Sequence, residues 1–502
     1  MKDSQAVRKA FVQSTLWSSL GAAGAQAVQF LTTLVLARLL VPQAFGVVAM
    51  ANTVTLLVGT LNQLGISPSL VQRQDLCEEH LSSAFWLNIA VGIVLGAATF
   101  VAAKPVGRFY GNELVAPVLA WLAVTFPISA TKVVHTALLT RALRYRALFV
   151  ANAAEAGVNG VVSIALACAG WEIWSLVIGR IAGLVAGSVA SFLLHPWRPR
   201  LSVSMERIRE LMRFGLFAMG SSFLSYFIAS ADNIVVGHSL GAVALGSYAL
   251  AYSIVTLPQK RLSSVIAGVA FPILSRIQDD PQIVARSYLK MLGYISFVTF
   301  PALAGLAAVA PEFVEVVLGA RWSAVTVPMQ LLCLAGALRS VLTTVGSVFY
   351  SKGKPEIGFR LDFGFLLLLY PMLLLGVRWG TVGVAATVTI FDLVIQGVNF
   401  RVVARLLDVR LGSIYRAMGV NFAMSAAMFL VIWALSSLLR GLGAPSVAIL
   451  VVTVATGLAV YTVLAVLLQK ELLLGFLNLA GLDKKLSHVG WLRSALTLGV
   501  PK

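Results

Sequence analysis

The sequence predicts an all-α polytopic membrane protein with about 14 transmembrane helices, arranged as two parallel six-helix lobes followed by two additional C-terminal helices. Composition is the first observation: the chain is 59% hydrophobic and 12% charged, whereas about a quarter of the residues in a soluble protein are charged. The second is a series of apolar stretches of roughly twenty residues, each long enough to cross about 30 Å of hydrocarbon as a helix. The third is an internal repeat that relates the first six stretches to the next six.

The distribution of basic residues predicts the orientation of these helices. The chain carries 38 Lys and Arg against 20 Asp and Glu, a surplus that in a soluble protein would suggest nucleic acid. Here most basic residues fall in alternate connections between spans, and basic connections are retained on the cytoplasmic side of a membrane. Both termini are therefore expected in the cytoplasm, and no nucleic-acid partner is expected.

Polar side chains recur at helical spacing within the first six spans, which helices surrounded by lipid do not need. Gln29 and Asn52 belong to such stripes in spans 1 and 2. Span 4 is the most informative, because a continuous hydrophilic line along it includes Lys132. These faces are expected to border a wet interior. The six spans are predicted near residues 12–36, 45–64, 82–103, 115–139, 148–168 and 174–194.

The connection over residues 195–213 is predicted to be the joint between the two lobes. Pro196 and Pro199 end the preceding span, because proline lacks the backbone donor that a helix requires. From about Ser204 the pattern is that of an amphipathic helix at a membrane interface, and five arginines place the segment on the cytoplasmic side. The alternative is an exposed basic loop with no role beyond topology.

The second half repeats the first. Residues 45–51 match residues 245–251 at a displacement of 200, and the same register pairs Asn52 with Tyr252 and extends the polar stripe to Gln259. Six spans is an even number, so both halves enter the membrane in the same sense as parallel repeats and are expected to enclose a central cavity. Spans 7 to 14 are predicted near residues 214–236, 245–271, 291–310, 326–350, 358–378, 381–400, 417–438 and 447–468.

The resulting organisation has five parts. They are an N-terminal lobe (1–194), the amphipathic linker (195–213), a C-terminal lobe (214–400), spans 13 and 14 (401–468) and a cytoplasmic tail (469–502) that is consistent with either a short interfacial helix or disorder.

Charged residues inside the spans are the candidate functional residues, since each costs about 2.5 to 3.5 kcal/mol near the bilayer centre. Lys132 and Arg339 lie within about one helical turn of equivalent depth in spans 4 and 10, so two cations are expected to face a shared cavity suited to a diphosphate. Alternatively, the charges neutralise one another between helices, as Lys132 would with Glu155. Lys260 and Arg261 could also extend to the inner interface. The predicted cationic lumen is Arg339, Lys132, Arg180, Lys260 and Arg261, and the predicted polar lumen is Asn52, Gln29, Tyr252 and Gln259.

Acidic residues in the spans are candidates for coupling transport to an ion gradient. Asp232, about one turn from the outer end of span 7, could bind Na⁺ or take up a proton, or it could cap or pair near the external surface. Glu155, Asp362 and Asp392 are the other candidates. No metal-ligand spacing, nucleophile motif or phosphate-binding loop is present, so neither an enzyme nor a cofactor other than a coupling ion is expected.

Several ordered motifs resemble those of Wzx-type polysaccharide flippases, in the branch that is similar to colanic-acid exporters. They are residues 37–51 (ARLLVPQAFGVVAMA), 64–73 (LGISPSLVQR), 83–88 (SAFWLN), 230–237 (SADNIVVG) and 245–248 (LGSY). The likeness extends over about residues 10–410 and implies the fold of the multidrug/oligosaccharidyl-lipid/polysaccharide (MOP) exporter superfamily, which includes the MATE transporters.

The resemblance implies a flippase that moves undecaprenyl-diphosphate-linked oligosaccharide repeat units across the bacterial inner membrane by alternating access, coupled to an ion gradient. It also implies contact with membrane lipids, a polysaccharide polymerase and a chain-length regulator. A lipid II flippase remains open as an alternative. A drug/cation antiporter is disfavoured because a cationic lumen repels its substrate, and a membrane glycosyltransferase or ligase would be expected to use a large external loop that the sequence lacks.

Overall fold

The computed structural model describes residues 24–62, 69–71, 73, 75–276 and 281–479, with the side chains at 61–62, 211–222, 258–276, 281, 355 and 476–479 excepted. Throughout these ranges the regular structure is helical, and none of the described residues lies in a strand. The predicted all-α fold is confirmed.

The helices of the first half begin with α1 over residues 24–39. The predicted fourth span is divided into two helices, α4 and α5, which together are long enough to cross a membrane. The others are α2 (Pro42–Asn62), α3 (Glu78–Phe109), α4 (Val115–Leu122), α5 (Thr125–Arg141), α6 (Tyr145–Cys168) and α7 (Glu172–Leu194).

Helix α8 (Met205–Arg276) contains both the seventh and the eighth predicted spans. It starts one residue after Ser204, and its backbone continues from the arginine-rich turns into the seventh span without an interruption before Gly241. Gly241 has φ of 81°, a left-handed conformation that glycine adopts without steric cost. That residue separates the two spans.

The second half continues with α9 (Pro281–Ala308) and three short segments at Ala310–Phe313, Val314–Leu318 and Ala320–Val325. The remaining helices are α10 (Thr326–Leu342), α11 (Val345–Ser351), α12 (Pro355–Gly376), α13 (Gly380–Leu406), α14 (Leu411–Gly441), α15 (Ser446–Leu468) and α16 (Lys470–Leu479). Helix α16 falls in the tail, where the sequence left a helix and disorder as alternatives.

Within the described residues, eleven helical segments are long and apolar enough to cross a membrane. Two of them each cover two predicted spans, wholly or in part: Phe223–Leu257 is interrupted at Gly241, and Glu356–Leu406 passes through a short turn at Val377–Trp379. The first predicted span lies partly outside the described residues. A multi-pass membrane protein is therefore confirmed, and the count of fourteen helices stays a prediction.

The chain folds as two compact units. The described residues up to Leu250, together with Asp362–Val384, form the first unit, and those of Ala251–Leu361 and from Ala385 onward form the second. The lobe boundaries expected from the sequence stay a prediction.

In the first unit, glycines bring helix backbones into contact. Along α7, Gly179, Gly183 and Gly187 recur every four residues and face α6, where a β-carbon on any of them would lie within 3 Å of an α6 atom. Small residues at this spacing let two membrane helices approach closely, so the stripe explains the packing of α6 against α7.

The second unit is held by an apolar core between α9, α10, α11, α13 and α14. Tyr288, Leu292 and Phe400 are fully buried in it. Asn421 of α14 donates hydrogen bonds to the carbonyl of Gly293 and to the hydroxyl of Ser296 on α9. Such polar contacts fix the register of membrane helices that apolar packing alone leaves loosely specified.

Candidate functional site

The second unit brings together three residues that the sequence singled out separately. Arg339 of α10 pairs with Asp392 of α13, with 2.7 Å between Nε and Oδ2. Its Nη1 donates to the hydroxyl of Tyr252 on α8 at 2.9 Å, and the guanidinium carbon is 5.7 Å from the centre of the tyrosine ring. We call Arg339, Asp392 and Tyr252 the arginine cluster.

Burial differs between the two charges of the arginine cluster. The side chain of Asp392 is 4% exposed, whereas that of Arg339 is 27% exposed. A buried carboxylate requires a charged or hydrogen-bonding partner, which the guanidinium supplies. Arg339 therefore keeps an accessible surface while it holds Asp392, and an anionic group could approach the guanidinium there.

A second charged cluster lies in the first unit. Lys132 of α5 pairs with Glu155 of α6 at 2.5 Å between Nζ and Oε2. Glu155 also interacts electrostatically with Arg180 of α7, whose side chain is exposed. Lys132, Glu155 and Arg180 form the lysine cluster. Two cations and one carboxylate leave a net positive charge. The pairing of Lys132 with Glu155 agrees with the alternative prediction, in which charges in the spans neutralise one another between helices.

Two α7 glycines position Glu155. A β-carbon at Gly187 would lie 2.6 Å from Oε2 of Glu155, and one at Gly183 would lie 2.7 Å from the Glu155 carbonyl oxygen. The space beside these glycines is therefore occupied by the carboxylate and the backbone of α6. Sequence reasoning missed this role, although the glycine spacing along α7 is a readable signal.

Asp232 is 4% exposed in α8, and both of its carboxylate oxygens accept hydrogen bonds. Oδ1 accepts the backbone N–H of Asn233 at 2.8 Å, and Oδ2 accepts the hydroxyl of the fully buried Tyr248 at 2.9 Å. Tyr248 was not among the predicted site residues. Tyr248 belongs to the repeated segment 245–251, so the internal repeat was the sequence feature that could have identified it.

The remaining predicted residues do not join these clusters within the described part of the chain. Asp362 is half-buried and Gln29 is exposed, while Asn52 is half-buried and its carbonyl accepts the Thr55 hydroxyl at 3.2 Å. The side chains of Gln259, Lys260 and Arg261 lie outside the described residues.

A hydrogen-bonded group in the first unit was also missed by sequence reasoning. The hydroxyls of Thr53 and Tyr110 are 2.8 Å apart, and the Tyr226 hydroxyl donates to the Thr53 carbonyl. The group links α2, the residue that follows α3, and the first part of α8. Its residues are separated by more than fifty positions, so periodicity along one helix could not identify it.

A family model described as "Polysaccharide biosynthesis protein" matches residues 35–327. The lipopolysaccharide biosynthesis protein WzxC of Escherichia coli K12 is 28% identical over 449 residues, 87% of this chain and 89% of that protein. The teichuronic acid biosynthesis protein TuaB of Bacillus subtilis 168 is 27% identical, covering 80% of this chain and 84% of TuaB. The succinoglycan biosynthesis transport protein ExoT of Rhizobium meliloti is 26% identical, covering 69% of each chain.

Solved structures show the same fold. The lipid II flippase MurJ in an inward closed conformation superposes with a TM-score of 0.76 at 12% identity, covering 91% of this chain and all of that one. An inward-facing MATE family transporter of the MOP superfamily superposes with a TM-score of 0.62 at 15% identity, covering 77% and 96%. The likeness at this identity shows that this chain shares its fold with MurJ and with that MATE transporter.

Proposed function

Because the chain belongs to the polysaccharide biosynthesis protein family, we propose that it is a flippase that moves undecaprenyl-diphosphate-linked oligosaccharide repeat units to the outer leaflet. It would serve the biosynthesis of a surface polysaccharide such as exopolysaccharide, capsule or O-antigen. The observation that carries the proposal is the partly exposed Arg339, a cation held within an apolar span. The chain around it is similar along most of its length to polysaccharide biosynthesis and transport proteins.

The chemistry of the substrate fits the two charged clusters. A diphosphate presents several anionic oxygens, and a guanidinium binds such groups through two parallel hydrogen bonds. Arg339 offers the partly exposed guanidinium, and the lysine cluster offers a second positive region with Arg180 on its exposed side. The lipid tail would remain in the bilayer while polar side chains of the spans accommodate the sugar hydroxyls.

The transport cycle follows from the proposed role. We place the protein in the bacterial cytoplasmic membrane with both termini inside, and the lobes at 1–194 and 214–400 would rock about the joint at 195–213 to give alternating access. Uptake of an ion would drive the return step. A polysaccharide polymerase would take over the exported units, and a chain-length regulator would set the length of the product.

The proposed function predicts where the substrate accumulates when the protein is removed. Deletion of its gene in the native host is expected to abolish the surface polysaccharide and to raise the lipid-linked oligosaccharide of the inner leaflet, because synthesis continues while export stops. Purified protein in liposomes is expected to expose the same oligosaccharide lipid to an external glycosidase. Lipid II serves as the competing substrate. Liposomes that translocate lipid II and leave the oligosaccharide lipid inside would overturn the proposal.

Replacing Asp232 with Asn is expected to remove the dependence of transport on the ion gradient. The amide keeps the shape of the carboxylate and an oxygen for the Asn233 N–H, but it has no negative charge to balance a cation and cannot exchange a proton. A potential of about 100 mV is worth about 2.3 kcal/mol per charge, a bias of about 50-fold in transport. The measurement is flux into liposomes with and without an imposed Na⁺ or proton gradient.

Tyr248→Phe is the matched control for this test. It removes the hydroxyl that donates to Asp232 and leaves the carboxylate in place, so flux should still respond to the gradient. A response of equal size in Asp232→Asn would exclude Asp232 as the coupling residue.

A further inference from the structure

A cysteine, a histidine and a glutamate that the proposed transport role does not use form a hydrogen-bonded chain in the first unit. The Cys77 Sγ is 2.9 Å from Nδ1 of His80, and Nε2 of His80 is 3.2 Å from Oε2 of Glu210. His80 is 2% exposed, whereas Cys77 is exposed. This series of hydrogen bonds therefore runs from an accessible thiol through a buried imidazole to a carboxylate.

The hydrogen bonds assign the protons of His80. The backbone N–H of Cys77 donates to Nδ1 at 3.3 Å, so Nδ1 carries no proton and is an acceptor. Nε2 then carries the proton and donates to Glu210. This tautomer places a basic nitrogen beside the thiol and a carboxylate behind the ring, which is the arrangement that activates a nucleophile through a base and an orienting group.

The surroundings can stabilise the negative charge that develops on Sγ as it attacks. Cys77 occupies the N-cap of α3, and the positive end of a helix dipole stabilises a nearby negative charge. Glu210 is kept ionised, because the hydrogen bond from His80, with further contributions from Arg73 and Arg207, lowers its pKa below the usual value. Arg73 pairs with Glu210 at 2.5 Å. Other charged groups near this hydrogen-bonded series include Asp75, Glu78, Glu79 and Arg200.

We propose that Cys77 is a reactive thiol that forms mixed disulfides with small-molecule disulfides, with His80 as its base and Glu210 as the residue that positions His80. The thiol proton passes to Nδ1 of His80, and Sγ attacks one sulfur of the disulfide. A new S–S bond forms as the old one breaks, and the departing thiolate takes the proton from His80. Cys77 is oxidised, the other half of the disulfide is reduced to a thiol, and a second thiol reverses the exchange.

The modification site is coupled to the start of α8. Glu210 lies in the first turns of α8, while Arg73 and His80 lie before and at the start of α3. A group attached to Sγ would occupy the space beside Nδ1 and disturb the contacts that hold these segments together. If the proposed transport function is correct, this would slow transport, but the reactivity of the thiol can be tested without it.

The chain contains its own reference cysteines. Cys168, at the end of α6, is also exposed but no base contacts it among the described residues, and Cys333 is buried. Purified protein is treated at pH 7 with oxidised glutathione or, separately, with iodoacetamide, and modification at each cysteine is followed by peptide mass spectrometry. We expect Cys77 to react on the order of tenfold faster than Cys168 with both reagents.

Two variants test the roles of the partners. His80→Gln is expected to reduce the Cys77 rate to that of Cys168 and to give the two cysteines the same dependence of rate on pH. Glu210→Gln, on a partly exposed side chain, is expected to cause a several-fold loss. A Cys77 that reacts no faster than Cys168, or unchanged rates in Glu210→Gln, would refute the proposal. Rapid reaction with oxidised glutathione but not with iodoacetamide would also refute the proposal. Such a result would mean that nearby arginines attract an anionic reagent and that the thiol itself is not activated. If His80→Gln does not fold, the pH profiles of Cys77 and Cys168 in the unaltered protein decide the question.

Discussion

Arg339→Gln is expected to reduce polysaccharide export by at least about tenfold, because it removes the guanidinium proposed to bind the diphosphate within an apolar span. Its hydrogen bond to Tyr252 and its ion pair with Asp392 are lost at the same time. Export is measured as surface polysaccharide in the native host, normalised to the amount of protein in the membrane. Arg339→Lys keeps the positive charge but lacks the planar guanidinium with its paired N–H donors, and it is expected to retain only part of the activity.

The stability of the protein must be separated from its activity in this test. Removing one partner of a buried pair costs about 3 to 5 kcal/mol, because the other charge stays buried without it. The double variant Arg339→Gln with Asp392→Asn removes both charges and should recover the protein level. If Arg339 binds the substrate, the double variant remains inactive; recovered export would show that the pair is structural.

A second arginine provides the matched control. Arg440 pairs with Glu312, whose side chain is 3% exposed, close to the 4% of Asp392. Ser436 also donates to that carboxylate at 2.6 Å. Arg440→Gln imposes a comparable electrostatic cost on the second unit, but Arg440 lies at the end of α14 and has no proposed contact with the substrate. It is expected to lower the amount of protein and to leave export per molecule unchanged.

Features that belong to a single helix can be predicted from the sequence. Hydropathy and the position of each charge are properties of one span, so the membrane fold and the presence of Lys132 and Arg339 within spans were predicted. Ion-pair partners depend on which helices are neighbours. Lys132 with Glu155 could be suggested because α5 and α6 are consecutive, whereas Arg339 and Asp392 belong to helices separated by α11 and α12.

The contacts that position Asp232 and Glu155 were not predicted, because they are made between helices. The sequence identified Asp232 as an ionisable residue in a span, but its partner Tyr248 lies beyond the break at Gly241. For Glu155, the carboxylate is positioned by the absence of side chains at Gly183 and Gly187. A glycine has no side chain that could indicate a role, so its role is seen only from its contact with a neighbouring helix.

The sequence repeat has a reciprocal contact in the structure. A β-carbon at Gly46 would lie 1.7 Å from the carbonyl oxygen of Ala242, and one at Gly246 would lie 1.9 Å from the carbonyl oxygen of Pro42. The displacement of 200 that aligns the repeats also relates Pro42 to Ala242 and Gly46 to Gly246. Each contact is therefore the counterpart of the other, as in a two-fold symmetric interface.

Gly46→Ala and Gly246→Ala are each expected to destabilise the protein severely, by several kcal/mol, because a backbone oxygen occupies the position of the new methyl group and cannot turn aside. Gly59→Ala is the control in the same helix as Gly46: a β-carbon there would have no atom of the described residues within 4 Å, and alanine favours helix. Thermal unfolding of detergent-extracted protein, followed by size-exclusion chromatography, measures the difference. Unfolding of Gly46→Ala within about 2 °C of the unaltered protein would mean that the two helices can separate at this point. The reciprocal contact would then not be what holds the equivalent ends of the two repeats together.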